Sequence, residues 1–363
     1  MAIIVISFDG VKDSQFKQMA LQRKIYPNIA KFMDESSYKG GVKSSFVSNT
    51  YPIHATVSTG KLAREHGIIS NFTTTGGKRR WAQLARDIQT KAIWDAAREQ
   101  GLTTAAIFWP VTCGANIKWN MPEAHTHGRE NQIVESLRHG SALFQLNALV
   151  RHANKLSFRD FTSLDAFSTA VVCDLLKKKK RPDLTLLHLL AYDIISHRSG
   201  TRSPEINAAL KSLDINLGKI MEAAGDTPVL VFSDHGHLDV SQSIDLRHVF
   251  VDSLYEQCGG CAFLTRQPTD IETQDWFGRF LTEQEMYDSG YSNKSVCGIA
   301  AKPGYCFSEK QYKSNHGYPA DYEDYRVFYA LKSKSAYQKP DSSFGDVRDI
   351  TAIITRELKI DLG

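Results

Sequence analysis

The chain has 363 residues, 42% hydrophobic and 23% charged, a balance that excludes a disordered or low-complexity protein and leaves ample material for a large core. Its formal charge of +4, from 44 Lys and Arg against 40 Asp and Glu, is too small to announce a nucleic-acid partner. No apolar run approaches the roughly 18 residues of a membrane span, and the first residues lack the basic segment of an export signal, so the sequence predicts a cytoplasmic protein without a membrane partner.

Residues 3–6 are an unbroken β-branched run, which predicts a buried strand ending at the turn Asp9-Gly10. In Asn49-Thr50-Tyr51-Pro52, Thr50 precedes a helix running to about Gly60; a threonine there caps a helix, and a helix N-terminus also stabilises anions. Further strands are predicted over 104–109, 184–191, 228–233 and 326–330, alternating with amphipathic helices over 93–100, 204–223 and 346–357. This alternation marks an α/β fold with a mostly parallel sheet sandwiched by helices. Two segments interrupt it: 120–165 reads as a helical excursion and 238–312 as a small inserted cap subdomain, within one catalytic domain spanning 1–363. The basic run Lys177 to Arg181 reads as a solvated helix end.

Six cysteines, at 113, 173, 258, 261, 297 and 306, are too sparse for a disulfide framework and are expected as free thiols. Cys258-Gly259-Gly260-Cys261 is the one C-x-x-C; a zinc site or a disulfide with Cys297 and Cys306 is the less favoured reading.

Three Asp/His clusters follow predicted strands: Asp9; Asp193 with His197; and Asp234-His235-Gly236-His237. In a parallel sheet the crevice beyond the carboxyl ends of the strands binds ligands, and carboxylate with imidazole suits zinc. A strand-end Asp taken singly is an ordinary helix cap, but the joint occurrence of three clusters exceeds what capping explains. Of the other histidines, His54, His66 and His188 read as structural, and His125-Thr126-His127 as a surface loop. Trp81, Trp109, Trp119 and Tyr192 are candidates for a cleft wall, with Trp109 expected in the core.

Phe8-Asp9-Gly10, Thr50-Tyr51-Pro52, His66-Gly67-Ile68 with Asn71, Ile107-Phe108-Trp109-Pro110, Asp193-x-x-x-His197, Ser233-Asp234-His235-Gly236 and His316-Gly317-Tyr318 occur in this order. The series resembles the nucleotide pyrophosphatase/phosphodiesterase family of the alkaline phosphatase superfamily over nearly the whole chain. The resemblance implies an alkaline-phosphatase-like fold and two zinc ions, one held by Asp193, His197 and His316, the other by Asp9, Asp234 and His235 with the Thr50 oxygen. It further implies that Thr50 is the nucleophile of a covalent phosphothreonine intermediate and that Asn71, with the Thr50 N–H, cradles a phosphoryl oxygen. Asn71 and His316 are singled out by the resemblance alone. The chain departs from the family where Asn49 replaces a frequent Lys, Ile53 a frequent Asn and His237 a common Met.

The expected function is a two-zinc hydrolase of phosphodiester or nucleotide pyrophosphate bonds, acting on a small anionic phosphate ester, with no specific nucleic-acid binding. A phosphonoacetate-type phosphonate hydrolase is the alternative; a phosphomonoesterase or a non-catalytic metal-binding relative is less favoured. No sulfatase motif stands at the nucleophile. The sequence leaves the oligomeric state, the physiological substrate and the cellular metal open.

Overall fold

The computed structural model of the chain describes residues 1–126, 131–157, 159–334 and 345–363. Its central sheet has seven strands in the order Ser37–Val42, Val327–Lys332, Val229–Phe232, Ile3–Phe8, Leu184–Leu189, Thr104–Ile107 and Trp119–Met121. All pairs are parallel except those of Val327–Lys332, which runs antiparallel to both neighbours. Side chains alternate along a strand, so Ile3 and Val5 bury against one helical layer while Ile4, Ile6 and Phe8 bury against the other.

The first layer contains the helices Thr50–Thr59, Ile93–Glu99 and Arg348–Leu358, which contribute Tyr51, Ile93, Trp94 and Ile350. The opposite layer contains Asp13–Leu21, Pro27–Asp34, Thr162–Leu176 and Pro204–Ala224, with Phe16, Phe32, Phe167 and Leu213 in its core. Pro204–Ala224 starts as its sequence dictates: the Ser203 hydroxyl accepts from Ile206 N–H and Pro204 takes a first-turn position needing no donor.

Several boundaries move. The strand predicted over 104–109 stops at Ile107, since Phe108 turns the chain with φ of 53°. The strand predicted over 184–191 stops at Leu189, and a helix, Ala191–Ser199, begins at once. Thr50 is the first residue of its helix, not the residue ahead of it; Asn49, with extended backbone, takes the cap position. Two strands carry little pattern: Ser37–Val42 contains Gly40 and Gly41, and Trp119–Met121 has only 3 residues.

Residues 120–165 include the helices Gln132–His139 and Ala142–His152. Beyond Asp234 the chain forms a four-stranded antiparallel sheet, ordered Leu254–Gln257, Cys261–Leu264, Cys297–Ala301 and Phe277–Phe280. A smaller sheet joins Gly304–Phe307, Leu238–Ile244 and Ser314–Asn315. Val240, Ala262, Ile299, Phe307 and Tyr318 share a core there. All six cysteines are free thiols, and no potential metal group among the described residues contains one. The glycines of Cys258-Gly259-Gly260-Cys261 instead let a turn press on the backbone near His316: a Cβ on Gly259 would collide with the His316 carbonyl oxygen. Among the described residues no helix is long and apolar enough to cross a membrane.

Candidate active site

Two groups of acids and imidazoles meet at the carboxyl ends of the central strands, where the chain leaves the sheet and side chains project from rigid supports. The deep group is Asp9, Asp234 and His235, reached directly from the ends of the adjacent strands Ile3–Phe8 and Val229–Phe232. Asp234 Oδ1 accepts from the Gly10 and His235 N–H groups at 3.1 and 2.9 Å. His235 Nδ1 lies 3.3 Å from the Gly236 carbonyl, leaving Nε2 facing Asp9 Oδ1 and Asp234 Oδ2 at 3.3 and 3.4 Å.

On the cleft side Asp193 belongs to two such groups, one with His197 and His237 and the other with His235 and His316, and the cleft-side set expected from the sequence, Asp193, His197 and His316, draws on both. Asp193 and His197 are one turn apart on Ala191–Ser199, a spacing that places both on one helix face. Asp193 Oδ1 is 3.5 Å from His197 Nε2 and 3.9 Å from His316 Nε2. Both rings are oriented from behind: His197 Nδ1 bonds the Ser314 carbonyl at 2.9 Å, and His316 Nδ1 bonds Asn49 Oδ1 at 2.8 Å. Asp165 fixes the start of the helix, accepting from the N–H groups of Leu190 and Ala191 at 3.0 and 3.3 Å. Burial pushes the Asp165 carboxyl up to about 7.

Thr50 stands beside the deep group at the N-terminus of a helix buried along its whole length, its Oγ1 3.2 Å from His235 Nε2. The next N–H, of Tyr51, donates to Asn71 Oδ1 at 3.0 Å, so the Asn71 carboxamide is held with its amino group as the remaining donor. Asn71 owes its position to the hairpin Phe72–Thr75 with Lys78–Trp81, which closes beside it through Ala82 N–H to the Asn71 carbonyl. Thus all eight residues singled out in the sequence, Asp9, Thr50, Asn71, Asp193, His197, Asp234, His235 and His316, converge on one place. It opens into a cleft of about 1020 Å³.

The donor set fits cations on its own chemistry. Asp9 Oδ1 and Asp234 Oδ2 are buried without a hydrogen-bond donor. Burial, then the nearby Asp234 and Asp193 charges, push the Asp9 carboxyl well above its usual range. Asp234 is raised by burial but lowered further by His235, His54 and His188, and ends below its usual range. A divalent cation would complete the empty acceptor sites and remove the repulsion between carboxylates. Oxygen and nitrogen donors in threes suit zinc, though not zinc alone.

Other residues correct the sequence reading. His66 is structural, bonded to Thr56 Oγ1 and to the Ile68 N–H, and burial pushes its pKa down to about 3. His54 and His188 are likewise buried and hydrogen-bonded, and they also border the deep group, forming with Asp234 a further potential metal group: His54 Nδ1 bonds the Thr50 carbonyl, and His188 Nε2 approaches Asp9 Oδ2 at 3.0 Å. His125 is not a plain surface loop residue. It bonds Glu123, stacks on Trp81 with ring centroids 4.1 Å apart and lines the cleft with Tyr51 and Phe72; His127 lies outside the described residues. Trp109 is core, as expected, and so is Tyr192, while Trp119 packs under Lys118 and Lys178 away from the cleft. Sequence reasoning named His237 in the third cluster and Asn49 as a departure without giving either a role, and it missed Ser314. The signal for His237 was present, two positions after His235.

A family model described as type I phosphodiesterase / nucleotide pyrophosphatase matches residues 3–354. An uncharacterized pyrophosphatase/phosphodiesterase of Schizosaccharomyces pombe is 25% identical over 268 residues, 70% of this chain and 47% of that protein. Human ectonucleotide pyrophosphatase/phosphodiesterase family member 7 is 25% identical over 264 residues, 66% of this chain and 48% of its own. The match to venom phosphodiesterase 2 of Crotalus adamanteus, 25% identical, covers 27% of that protein, so the chain spans about half or less of the length of these relatives. In structure, murine ectonucleotide pyrophosphatase/phosphodiesterase 5, an inactive variant in complex with AMP, superposes with a TM-score of 0.72 at 17% identity, covering 100% of this chain and 96% of the other.

Proposed function

The chain belongs to the type I phosphodiesterase / nucleotide pyrophosphatase family, and on that premise we propose that it hydrolyses phosphodiester or nucleotide pyrophosphate bonds of a small anionic substrate, through a covalent ester on Thr50 and with two divalent cations, zinc first among them. The observation that carries this reading is the approach of Thr50 Oγ1, at a helix N-terminus, to the buried Asp9, Asp234 and His235 group, with His235 Nε2 3.2 Å away.

Asp9, Asp234 and His235, with Thr50 Oγ1, would hold one cation, and Asp193, His197 and His316 the other. When bound, the cations supply charge that stabilises phosphoryl and leaving-group oxygens and lowers the pKa of the threonine hydroxyl. Thr50 releases its proton to solvent in the cleft and its oxygen attacks phosphorus. The Oγ–P bond forms as the P–O bond to the leaving group breaks, and the electron pair departs with that oxygen. Water then attacks the phosphothreonine, the Oγ–P bond breaks, and Thr50 is restored. Asn71 Nδ2 and the Thr50 N–H donate to a non-bridging oxygen, where charge grows in the transition state. The side chains of Tyr51, Phe72, Trp81 and His125 line the cleft and offer the organic part of the ester an aromatic surface.

The test is turnover, with added zinc, of bis-p-nitrophenyl phosphate, a nucleotide p-nitrophenyl ester, p-nitrophenyl phosphate and phosphonoacetate. The two diesters are expected to be cleaved best, and Thr50→Ala to abolish their cleavage. Full turnover by Thr50→Ala on every substrate overturns the nucleophile; preference for phosphonoacetate assigns the phosphonate-hydrolase alternative instead.

A further inference from the structure

We propose that His237 is a positioning residue of the cleft-side cation site, holding the Asp193 carboxylate rather than contributing a ligand; the proposal rests on the two-cation reading above. Its ring is fully buried, with Nε2 2.6 Å from Asp193 Oδ1 and Nδ1 3.0 Å from Ser314 Oγ.

Ligand atoms of Asp193, His197 and His237 all lie within 4.8 Å of one another, so proximity alone would admit His237 as a ligand; the individual distances separate the two roles. Donors bonded at about 2.0–2.2 Å to one tetrahedral ion stand roughly 3.3–3.6 Å from each other. Asp193 Oδ1 and His197 Nε2, at 3.5 Å, match that edge, and His316 Nε2, at 3.9 Å, lies just beyond it. His237 Nε2, at 2.6 Å, is too close to share an ion with Oδ1 at that angle and stands at hydrogen-bond distance. An ionised carboxylate only accepts, so the proton is on Nε2, and the Ser314 hydroxyl donates to Nδ1. Asp193 keeps lone pairs on both oxygens for a cation.

The surroundings are shaped for this ring. Ser314 serves both histidines, holding His197 through its carbonyl and His237 through its hydroxyl. Gly10, at φ of +75°, admits the imidazole: a Cβ there would lie 2.6 Å from His237 Cδ2 and 3.0 Å from Nε2. The residue that follows the deep ligand Asp9 therefore makes room for the group that steadies the cleft-side ligand Asp193. A hydrogen bond of this kind removes carboxylate rotamers that cannot bind the ion, and its loss typically costs about 10–100-fold in metal affinity.

The experiment strips the protein of metal and titrates it with Zn2+ and Co2+ against a chromophoric chelator. Wild type, His237→Met, His237→Gln, Ser314→Ala and His197→Ala are compared. The wild type is expected to bind two ions, and His237→Met to weaken one of them about 10–100-fold while leaving the other unchanged. His237→Gln, which keeps an amide donor near the Nε2 position, is expected to recover part of the loss. Ser314→Ala releases the ring without altering it and is expected to cause a smaller loss of the same site. At saturation the Co2+ visible spectrum of His237→Met is expected to match wild type, since no ligand has gone, whereas that of His197→Ala changes. A His237→Met spectrum altered as in His197→Ala makes His237 a ligand and overturns the proposal. So does an unchanged affinity in His237→Met when wild type binds two ions. If wild type itself binds fewer than two, the two-cation reading has failed and the proposal falls with it.

Discussion

The deep group hangs from the sheet: Asp9 and Asp234 follow neighbouring parallel strands, and with His235 their side chains are 5%, 0% and 0% exposed. The cleft-side group is assembled from a helix and the residue that follows the short strand Ser314–Asn315, and Asp193, His197 and His316 are 13%, 18% and 10% exposed. Strand register sets the first, while two carboxylate oxygens in it lack donors. The second depends on bonds from remote residues: Asn49 to His316, Ser314 to His197, His237 to Asp193 and Asp165 to the start of the helix. Adjacent strands bring the deep ligands together, with His188 beside Asp9; where ligands come from separate segments, hydrogen bonds from remote residues supply the order that the sheet does not.

The sharpest test of the contrast is at Thr50, the reacting group beside the deep set. Thr50→Ala is expected to lower kcat by on the order of 10⁴-fold or more, and turnover within tenfold of wild type would break the assignment. Asn71→Ala removes one donor to the developing phosphoryl charge; a loss of about 10²–10³-fold in kcat is expected, with cation content by metal analysis unchanged. Asn49→Ala addresses the other side: His316 loses its orienting acceptor, and a stepwise chelator titration is expected to show one site weakened about 10–100-fold. Equal weakening of both sites would erase the distinction drawn here.

The smallest effect is a pH dependence at Asp165. The folded protein keeps this proton up to about pH 7, whereas an unfolded carboxyl releases it near 3.8. The contribution to stability is therefore full below the unfolded value and is lost as pH rises through about 7. Asp165→Asn is expected to flatten that slope between about pH 4 and 8, read from urea midpoints of the metal-free protein. A slope identical to wild type would show that burial does not hold the Asp165 proton.

The same contrast explains what the sequence made legible. Asp9, Asp234 and His235 follow apolar runs directly, so the strand pattern pointed at them, and the four-residue spacing of Asp193 and His197 did the same for a helix face. Thr50 could be found but not separated from an ordinary cap, because the start of the helix at Thr50 itself depends on packing. Asn71 follows no periodic element and His316 follows a strand of 2 residues, so only family resemblance located them. His237, Asn49 and Ser314 escaped because their roles are hydrogen bonds to residues far away in the chain, and periodicity carries no such information. The strand Ser37–Val42 was hidden by its glycines and exists because a neighbour pairs with it.

That neighbour is Val327–Lys332, which lies between Ser37–Val42 and Val229–Phe232 although it is the last strand among the described residues. During synthesis the strand that leads to Asp234 thus emerges from the ribosome long before its partner on that side. His316 has already been made when the partner arrives. Every proposed ligand, from Asp9 to His316, thus precedes in the chain the strand that flanks Val229–Phe232, and the sheet position beside the strand leading to Asp234 can be filled only after all of them have been made.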